Sequence, residues 1–338
     1  MSVHHQRKSF ATANSASPLF NFFIYPTDIV AGLAQALLGR KFCLLFGHRQ
    51  SGKTTAAFTM IDYLNTISTI HQIPGYGRAG FEIYYVSLYS GIDFKNRSRF
   101  WESFCRALRT ENHQRFNFED SRPASSSTFM SFFSKTHDPA RLPAILVIDE
   151  ASMLTGMDNK IIDDFISTLR SLKDNHISFC LHSIVLVGTE SVRGVLASRN
   201  VGGRSVYSPF TEEETFECTR FTVSEVEELL NQFVKANKDL DIKVHGIAKD
   251  IYELTSGHKG LVGVCGNFIE GKLLRNRRTV SLKDWKAHSF DLAGFVVGKQ
   301  TYSSMLQCLP RLELEHRNIL GNVLRHGFDR VQVSSITC

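Results

Sequence analysis

The chain has 338 residues, of which 43% are hydrophobic and 11% aromatic, and its formal net charge is +6. This composition excludes an intrinsically disordered chain and suffices for a core domain of about 200 to 250 residues with a smaller unit beside it. No stretch reaches the roughly 18 consecutive apolar residues of a membrane span, and no apolar segment lies where a signal peptide would. We therefore expect an intracellular protein, in the cytoplasm or nucleus, without a membrane partner.

The N-terminal region divides into a polar leader and an aromatic segment. Residues 1–17 are polar and contain Ser and Ala, and we expect a disordered tail. Residues 18–28 are too aromatic for a linker and should pack against the fold. A helix should follow, with Thr27 or Asp28 as its N-cap and Gly39 at its end.

The most informative stretch is KFCLLFGHRQSGKTT, residues 41–55, which matches the phosphate-binding loop pattern GxxxxGK[ST] without a mismatch. Accident would give such a match in about one chain in a hundred of this length. Residues 42–46 should form a buried parallel strand, and a helix should run from Thr54 to about Ile67. In such a loop the backbone N–H groups close around a phosphate, so we predict these nucleotide-binding residues: Gly47, His48, Arg49, Gln50, Ser51, Gly52, Lys53, Thr54 and Thr55.

Two side chains at the end of this loop have separate predicted roles. Lys53 would place its ammonium group between the β- and γ-phosphates, as a catalytic residue. Thr54 would offer its hydroxyl group to Mg²⁺, while the following helix adds the positive end of its dipole. The expected ligands are therefore ATP or ADP together with Mg²⁺.

The middle of the chain alternates between strand and helix patterns, which favours an α/β fold with a parallel sheet covered on both faces. Residues 81–89 should form a strand, and residues 100–108 and 129–135 should form helices. Asp158 should cap a long amphipathic helix, and the stretch near residues 215–221 should be the last strand.

The stretch AILVIDE, residues 144–150, is a predicted buried strand that ends in two acids. Asp149 would hold Mg²⁺ directly or through water, and Glu150 would polarise the attacking water. An apolar run followed by two acids is a weak signal alone, but it becomes a strong one downstream of a complete phosphate loop.

The strand SIVLVGTE, residues 183–190, ends near Thr189, for which two interpretations remain. Thr189 could sense the γ-phosphate, or it could cap a helix that begins at Ser191. A Gly-containing loop follows, and one arginine near it could act as an arginine finger toward another subunit of a homo-oligomer. The candidates are Arg193, Arg199 and Arg204.

From Phe221 onward the pattern is helical, and we place a domain boundary there. Ser256 to Gly260, SGHKG, should open a helix in which His258 and Lys259 could face the phosphates as a second sensor. Its glycines should allow close backbone approach. These glycines are Gly260, Gly263 and Gly266. The helical region itself should begin with a hydrophobic residue and a capping box, comprising Val223, Ser224 and Glu227.

These patterns divide the chain into a tail (1–17), a P-loop core (18–220), a helical lid (221–288) and a helical extension (289–338), which could be a truncated winged helix. Ile24 and Tyr25 could wall an adenine ring, although ordinary core packing explains them equally well. The basic cluster at residues 272–286 has six cations against Asp284 alone. A solvated helix end explains this cluster better than nucleic-acid binding does.

Four stretches, GRKFCLLFGHRQSGKTT, LPAILVIDEAS, HSIVLVGTES and ELTSGHKGLVG, in this order resemble the AAA-ATPase-like P-loop domain of fungal and oomycete Crinkler-type proteins. More distantly they resemble the signal-transduction and origin-recognition AAA ATPases. The resemblance covers residues 18–276. It implies a parallel sheet between helices with a C-terminal helical lid, and slow, Mg²⁺-dependent, regulatory ATP hydrolysis by residues 47–55, Asp149, Glu150 and Thr189. A secreted effector, or a nucleotide-gated interaction module with negligible turnover, is the alternative.

Overall fold

A five-stranded parallel sheet lies at the centre of the structure, and its strands lie side by side in the order Glu82–Ser87, Ala144–Asp149, Leu181–Gly188, Phe42–Phe46 and Thr215–Glu217. The computed structural model describes residues 7–12, 14–68, 80–113, 116, 124–136, 142–197, 199–201, 204–206, 208–308, 310 and 313–314. The strands are β1 Phe42–Phe46, β2 Glu82–Ser87, β3 Ala144–Asp149, β4 Leu181–Gly188, β5 Arg199–Val201, β6 Arg204–Val206, β7 Thr215–Glu217, β8 Asp241–Ile242 and β9 Thr279–Val280.

Helices cover the sheet and continue beyond it toward the C-terminus. They are α1 Thr27–Leu38, α2 Lys53–Ser68, α3 Arg97–Glu111, α4 Ser126–Ser131, α5 Asn159–Asp174, α6 Ser191–Leu196, α7 Val223–Ala236, α8 Val244–Thr255, α9 Lys259–Phe268, α10 Leu282–Ala287, α11 Ser289–Val297 and α12 Gln300–Cys308. None of the helices in the described ranges combines the length and the apolar character needed to span a membrane.

Alternate residues of the central strands enter two different cores, because successive strand side chains point to opposite faces. On one face, Leu44 and Leu186 pack with α3, α4 and α5. On the other face, Leu45 and Val187 pack with α1 and α2. Coverage of both faces explains why β1, β3 and β4 are buried along their whole length, and it confirms the α/β class. The carboxyl ends of β1, β3 and β4 share one edge of the sheet.

A third apolar core joins the C-terminal helices to the N-terminal segment. Helices α7 to α11 bury Phe233, Ile251 and Phe268, and the same core contains Phe10 and Phe22. Phe10 is only 4% exposed, with its ring centroid 4.9 Å from that of Phe22. For residues 7–12 and 14–17 the prediction of a disordered tail is therefore wrong, because one aromatic residue anchors the segment.

Three local predictions about helix starts fail for identifiable reasons. Helix α1 has Pro26 at its N-cap, because the Thr27 hydroxyl donates to Tyr25 O instead. The capping box of α7 uses Thr222, whose backbone is extended, and Glu225. Helix α4 begins earlier than predicted because Ser125 caps it, and it ends at Ser131. The expected cap of α5 by Asp158 is confirmed.

The segment proposed as a winged-helix element, residues 314–327, lies outside the described residues apart from Leu314.

Candidate functional site

The loop between β1 and α2 makes a tight cradle at the carboxyl edge of the sheet. Gln50 and Gly52 have φ values of 58° and 88°. A Cβ atom at Gly47 would lie 2.7 Å from Ser51 Oγ, and one at Gly52 would lie 3.3 Å from Lys259 Cδ. Glycine is therefore required at Gly47 by the space around it and at Gly52 by its left-handed φ, as the sequence pattern predicts. The Ser51 hydroxyl oxygen is buried and has no hydrogen-bond partner among the described residues.

Three consecutive carbonyl groups of the loop accept hydrogen bonds. His48 O accepts from Lys53 Nζ at 2.6 Å, and Arg49 O lies 3.0 Å from His258 Nε2. Gln50 O accepts from the Gly260 backbone N–H at 3.2 Å. His258 and Gly260, at the start of α9, thus hold two of these carbonyl groups, and Lys53 of α2 holds the third. At the start of α2 the N–H groups lack partners within the helix, which makes this end a favourable place for an anion.

The His258 side chain supports the loop backbone and does not face a phosphate. Its Nδ1 atom accepts a hydrogen bond from Leu261 N at 3.2 Å, so the proton lies on Nε2, which donates to Arg49 O. Burial lowers the pKa of His258, which favours this neutral form. The expectation that His258 acts as a second sensor is wrong in this geometry, whereas Lys259 lies beside Gly52 at the cleft.

The second acidic stretch lies directly beside the loop. Asp149 is 3% exposed, and its Oδ2 atom accepts from both Thr54 Oγ1 and Tyr85 OH at 2.8 Å. Its Oδ1 atom accepts from the Glu150 backbone N–H at 2.7 Å. Burial, followed by the negative charge of Asp149, raises the pKa of Tyr85, so the phenol remains a donor. Glu150 follows with a φ of 54° and an exposed side chain that lines the cleft.

Thr189 belongs to a small hydroxyl network at the end of β4. Its backbone N–H donates to Ser152 Oγ at 2.7 Å, and its Oγ1 atom lies 2.9 Å from both Ser152 Oγ and Ser191 Oγ. Glu190, not Thr189, is the N-cap of α6. Of the two interpretations made from the sequence, the helix cap is therefore wrong, and the Thr189 side chain lines the cleft.

The cleft has a volume of about 860 Å³ and brings together parts of the chain that are far apart in sequence. Burial lowers the pKa of Lys53 and of Lys259, which supply its positive charge. The Ile24 side chain lines the cleft, whereas Tyr25 is 60% exposed and packs on Phe23 instead. The predicted residues that line it are Arg49, Gln50, Gly52, Lys53, Thr54, Thr55, Glu150, Thr189 and Lys259.

Several residues of the site lie outside the sequence prediction. Tyr85 contacts Asp149 in the acidic stretch, and Ser152 contacts Thr189. Ala16 N donates to Thr55 Oγ1 at 2.9 Å. Residues 11, 12 and 14–16 also contribute to the cleft walls, together with Gln300, Thr301 and Ser304. Tyr85 lies two residues before the end of a strand adjacent to β3, which is the only signal in the sequence that could have indicated it.

Four of the basic residues named from the sequence are paired within the chain. Arg193 makes a 2.9 Å ion pair with Glu190 and lies over the Phe46 ring. In the basic cluster the ion pairs are Arg277 with Asp284, Arg278 with Asp239 and Lys286 with Asp250. These pairs favour the explanation of a solvated helix end. The side chains of Arg199 and Arg204 lie outside the described residues.

Comparison with known proteins supports the fold seen here. Residues 37–196 match a family described as AAA domain. The ORC2 protein of Aeropyrum pernix, in ADPNP–ADP complexes, is 12% identical with a TM-score of 0.53, covering 93% of this chain and 85% of that one. A Walker-type ATPase of Pyrococcus abyssi is 14% identical with a TM-score of 0.53, covering 85% and 77%. A search of curated proteins gave no match. The resemblance to Crinkler-type proteins is not among these findings and stays a prediction.

Proposed function

We propose that this chain, whose residues 37–196 form an AAA-type P-loop domain, binds MgATP and hydrolyses it slowly as a conformational switch. The observation that carries the proposal is the 2.8 Å hydrogen bond between Thr54 Oγ1 and Asp149 Oδ2. This bond joins the last residue of the phosphate-loop pattern to the acid at the end of β3. Mg²⁺ prefers hard oxygen ligands, and protein sites commonly supply only one or two of its six, the rest coming from water and substrate phosphates.

The residues of the cleft fit a nucleoside triphosphate and its metal. The cradle leaves no room for a side chain at Gly47, Gly52 has a left-handed φ of 88°, and the buried Ser51 hydroxyl has no hydrogen-bond partner among the described residues. Thr54 and Asp149 would hold Mg²⁺, which would neutralise charge on the β- and γ-phosphates. The backbone N–H groups of the loop, Gly47 to Thr55, would bind the phosphates.

The chemical roles then follow from position. Lys53 Nζ donates to His48 O of the loop, and the Lys259 side chain lies beside Gly52. Both ammonium groups would therefore stabilise negative charge on the phosphates. Glu150 would orient and polarise the attacking water as general base. Thr189, held by Ser152, would contact the γ-phosphate. Helix α9 contacts the loop through its first residues, so closure of the helical lid would report the state of the nucleotide.

Slow turnover is the expected regime because Arg193 is engaged by Glu190. Fast phosphoryl transfer in this class of site requires an additional arginine, which a second copy of the chain in a homo-oligomer could supply. The alternative function is a nucleotide-gated interaction module with negligible turnover. The same pairing of Arg193 favours that alternative, and turnover measurements decide between the two.

Two substitutions test the proposal in the full-length chain. Lys53→Ala should weaken ATP binding by roughly tenfold or more, because it removes a charged hydrogen-bond donor from the phosphates. Glu150→Gln should retain ATP affinity while hydrolysis falls by about 10² to 10⁴. Lys235→Ala and Glu253→Gln change exposed residues of α7 and α8 and serve as matched controls.

Binding is measured by calorimetry and hydrolysis by phosphate release, under single- and multiple-turnover conditions with oligomer size recorded. Unchanged ATP affinity in Lys53→Ala would contradict the proposed binding site. Parental hydrolysis by Glu150→Gln would contradict the assignment of the base. A parent that binds ATP but completes no more than one turnover would leave the interaction module as the function.

A further inference from the structure

The tip of the phosphate loop is held by a helix near the other end of the described chain. The Gln50 carboxamide group reaches away from the loop, and its Oε1 atom accepts a hydrogen bond from Tyr302 OH at 2.7 Å. Its Nε2 atom donates to Thr301 Oγ1 at 3.1 Å and to Thr12 O at 3.0 Å. One side chain of the loop thus bridges the N-terminal segment and α12.

Gln50 is a residue whose backbone needs outside support. Its φ of 58° lies in the left-handed region, which a residue with a side chain adopts only when its surroundings enforce it. The Gly260 N–H fixes its carbonyl group, and Tyr302, Thr301 and Thr12 fix its carboxamide group. The conformation of the loop is therefore set by contacts from three separate parts of the chain.

The space beside Gln50 fits this arrangement closely. A Cβ atom at position 260 would lie 2.5 Å from Gln50 Oε1 and 3.0 Å from Tyr302 OH. Glycine at this position is thus what allows the Gln50 carboxamide to meet the phenol across the start of α9. Burial raises the pKa of Tyr302 to about 12, so the phenol is protonated and donates at neutral pH.

From these contacts we infer that Tyr302 is a positioning residue of the nucleotide site, which sets the phosphate loop through Gln50. The inference rests on the proposed function, because the loop is taken to bind phosphates. It makes α12 part of the site, with no contact to the nucleotide required. Loss of the phenol should leave Lys53, Asp149 and Glu150 in place but let the tip of the loop relax.

The test compares Tyr302→Phe with the parent in the full chain, using MgATP as the probe. We expect the dissociation constant and the KM for MgATP to rise by roughly three- to tenfold, as for loss of one hydrogen bond, while kcat stays within about twofold. Tyr252→Phe, a half-buried tyrosine of α8 outside the cleft, is the matched control and should bind like the parent.

A double-mutant cycle separates positioning from a general structural effect. In a Gln50→Ala background, Tyr302→Phe should cause no further loss of affinity, because its route to the loop has gone. Equal losses in both backgrounds, or parental affinity in Tyr302→Phe, would overturn the inference while leaving MgATP binding by the parent intact. A parent that binds no MgATP would instead overturn the proposed function and this inference with it.

Discussion

Gly263 offers the sharpest test of how the N-terminal segment is held, through the substitution Gly263→Ala. A Cβ atom at this position would lie 2.0 Å from Ala11 O and 3.1 Å from Ala11 C. Both are backbone atoms, so the clash cannot be relieved by rotating a side chain. The N-terminal segment must move away from α9, and Phe10 must leave the aromatic core that it shares with Phe22 and Phe233.

The net effect of Gly263→Ala is the sum of two opposing terms. Alanine is favoured over glycine by about 1 kcal/mol inside a helix. Exposing the buried Phe10 side chain costs about 1.5 to 3 kcal/mol. We therefore expect the free energy of unfolding to fall by about 0.5 to 2 kcal/mol. Nucleotide affinity should fall as well, because residues 11, 12 and 14–16 line the cleft.

Urea unfolding followed by circular dichroism measures this difference, with Gly294→Ala as the matched control. Gly294 lies inside α11, and a Cβ atom there would have no neighbour within 4 Å. Gly294→Ala should thus raise the free energy of unfolding by up to about 1 kcal/mol. If Gly263→Ala proved as stable as Gly294→Ala, the close approach of Ala11 to α9 would be refuted.

Two further predictions concern the acidic stretch and His182, which lies near the amino end of β4. Tyr85→Phe removes one of two hydroxyl donors from Asp149 Oδ2, so ATP affinity in the presence of Mg²⁺ should fall by about tenfold. ATP affinity in EDTA should not change. An equal loss in EDTA would contradict the assignment of Asp149 to Mg²⁺. Burial lowers the pKa of His182 to about 4 from 6.5. The unfolded state therefore binds a proton that the native state does not between these pH values, and stability should fall by about 3 kcal/mol as pH drops from 6.5 to 4. Chemical denaturation across this pH range should show that the stability of His182→Asn depends less on pH than that of the parent. An unchanged slope of stability against pH would exclude His182 as the cause.

The parts of the site that could be predicted from sequence are those encoded by consecutive residues. Gly47 and Gly52 are needed for a local reason, since a Cβ atom at Gly47 would press on Ser51 Oγ and Gly52 has a left-handed φ of 88°. Asp149 and Glu150 follow a run of buried residues whose register in the sheet places them beside the loop. Chemistry that depends on one loop or on the end of one strand thus leaves a readable pattern.

The contacts that sequence could not supply join residues far apart in the chain. Gln50 matches a pattern position that accepts any residue, so nothing marks its carboxamide group as the partner of Tyr302. Phe10 is a single aromatic residue in a polar leader, and its burial depends on small residues of α9. The N-cap of α7 is Thr222, two residues before the predicted Ser224, because a capping box depends on which residue is extended.

Anchoring of the N-terminal segment and the position of the phosphate loop are physically one problem. Phe10 fixes the segment to the lid, and a few residues later Thr12 O accepts from Gln50 and Ala16 N donates to Thr55 Oγ1. The segment therefore connects the core of the C-terminal helices to the tip of the loop and to the first turn of α2. Opening of the lid would draw Phe10 away and would strain the bonds at Gln50 and Thr55 together. A change in lid position should thus alter phosphate binding, and bound phosphate should in turn favour the closed lid, because the coupling between two sites is reciprocal.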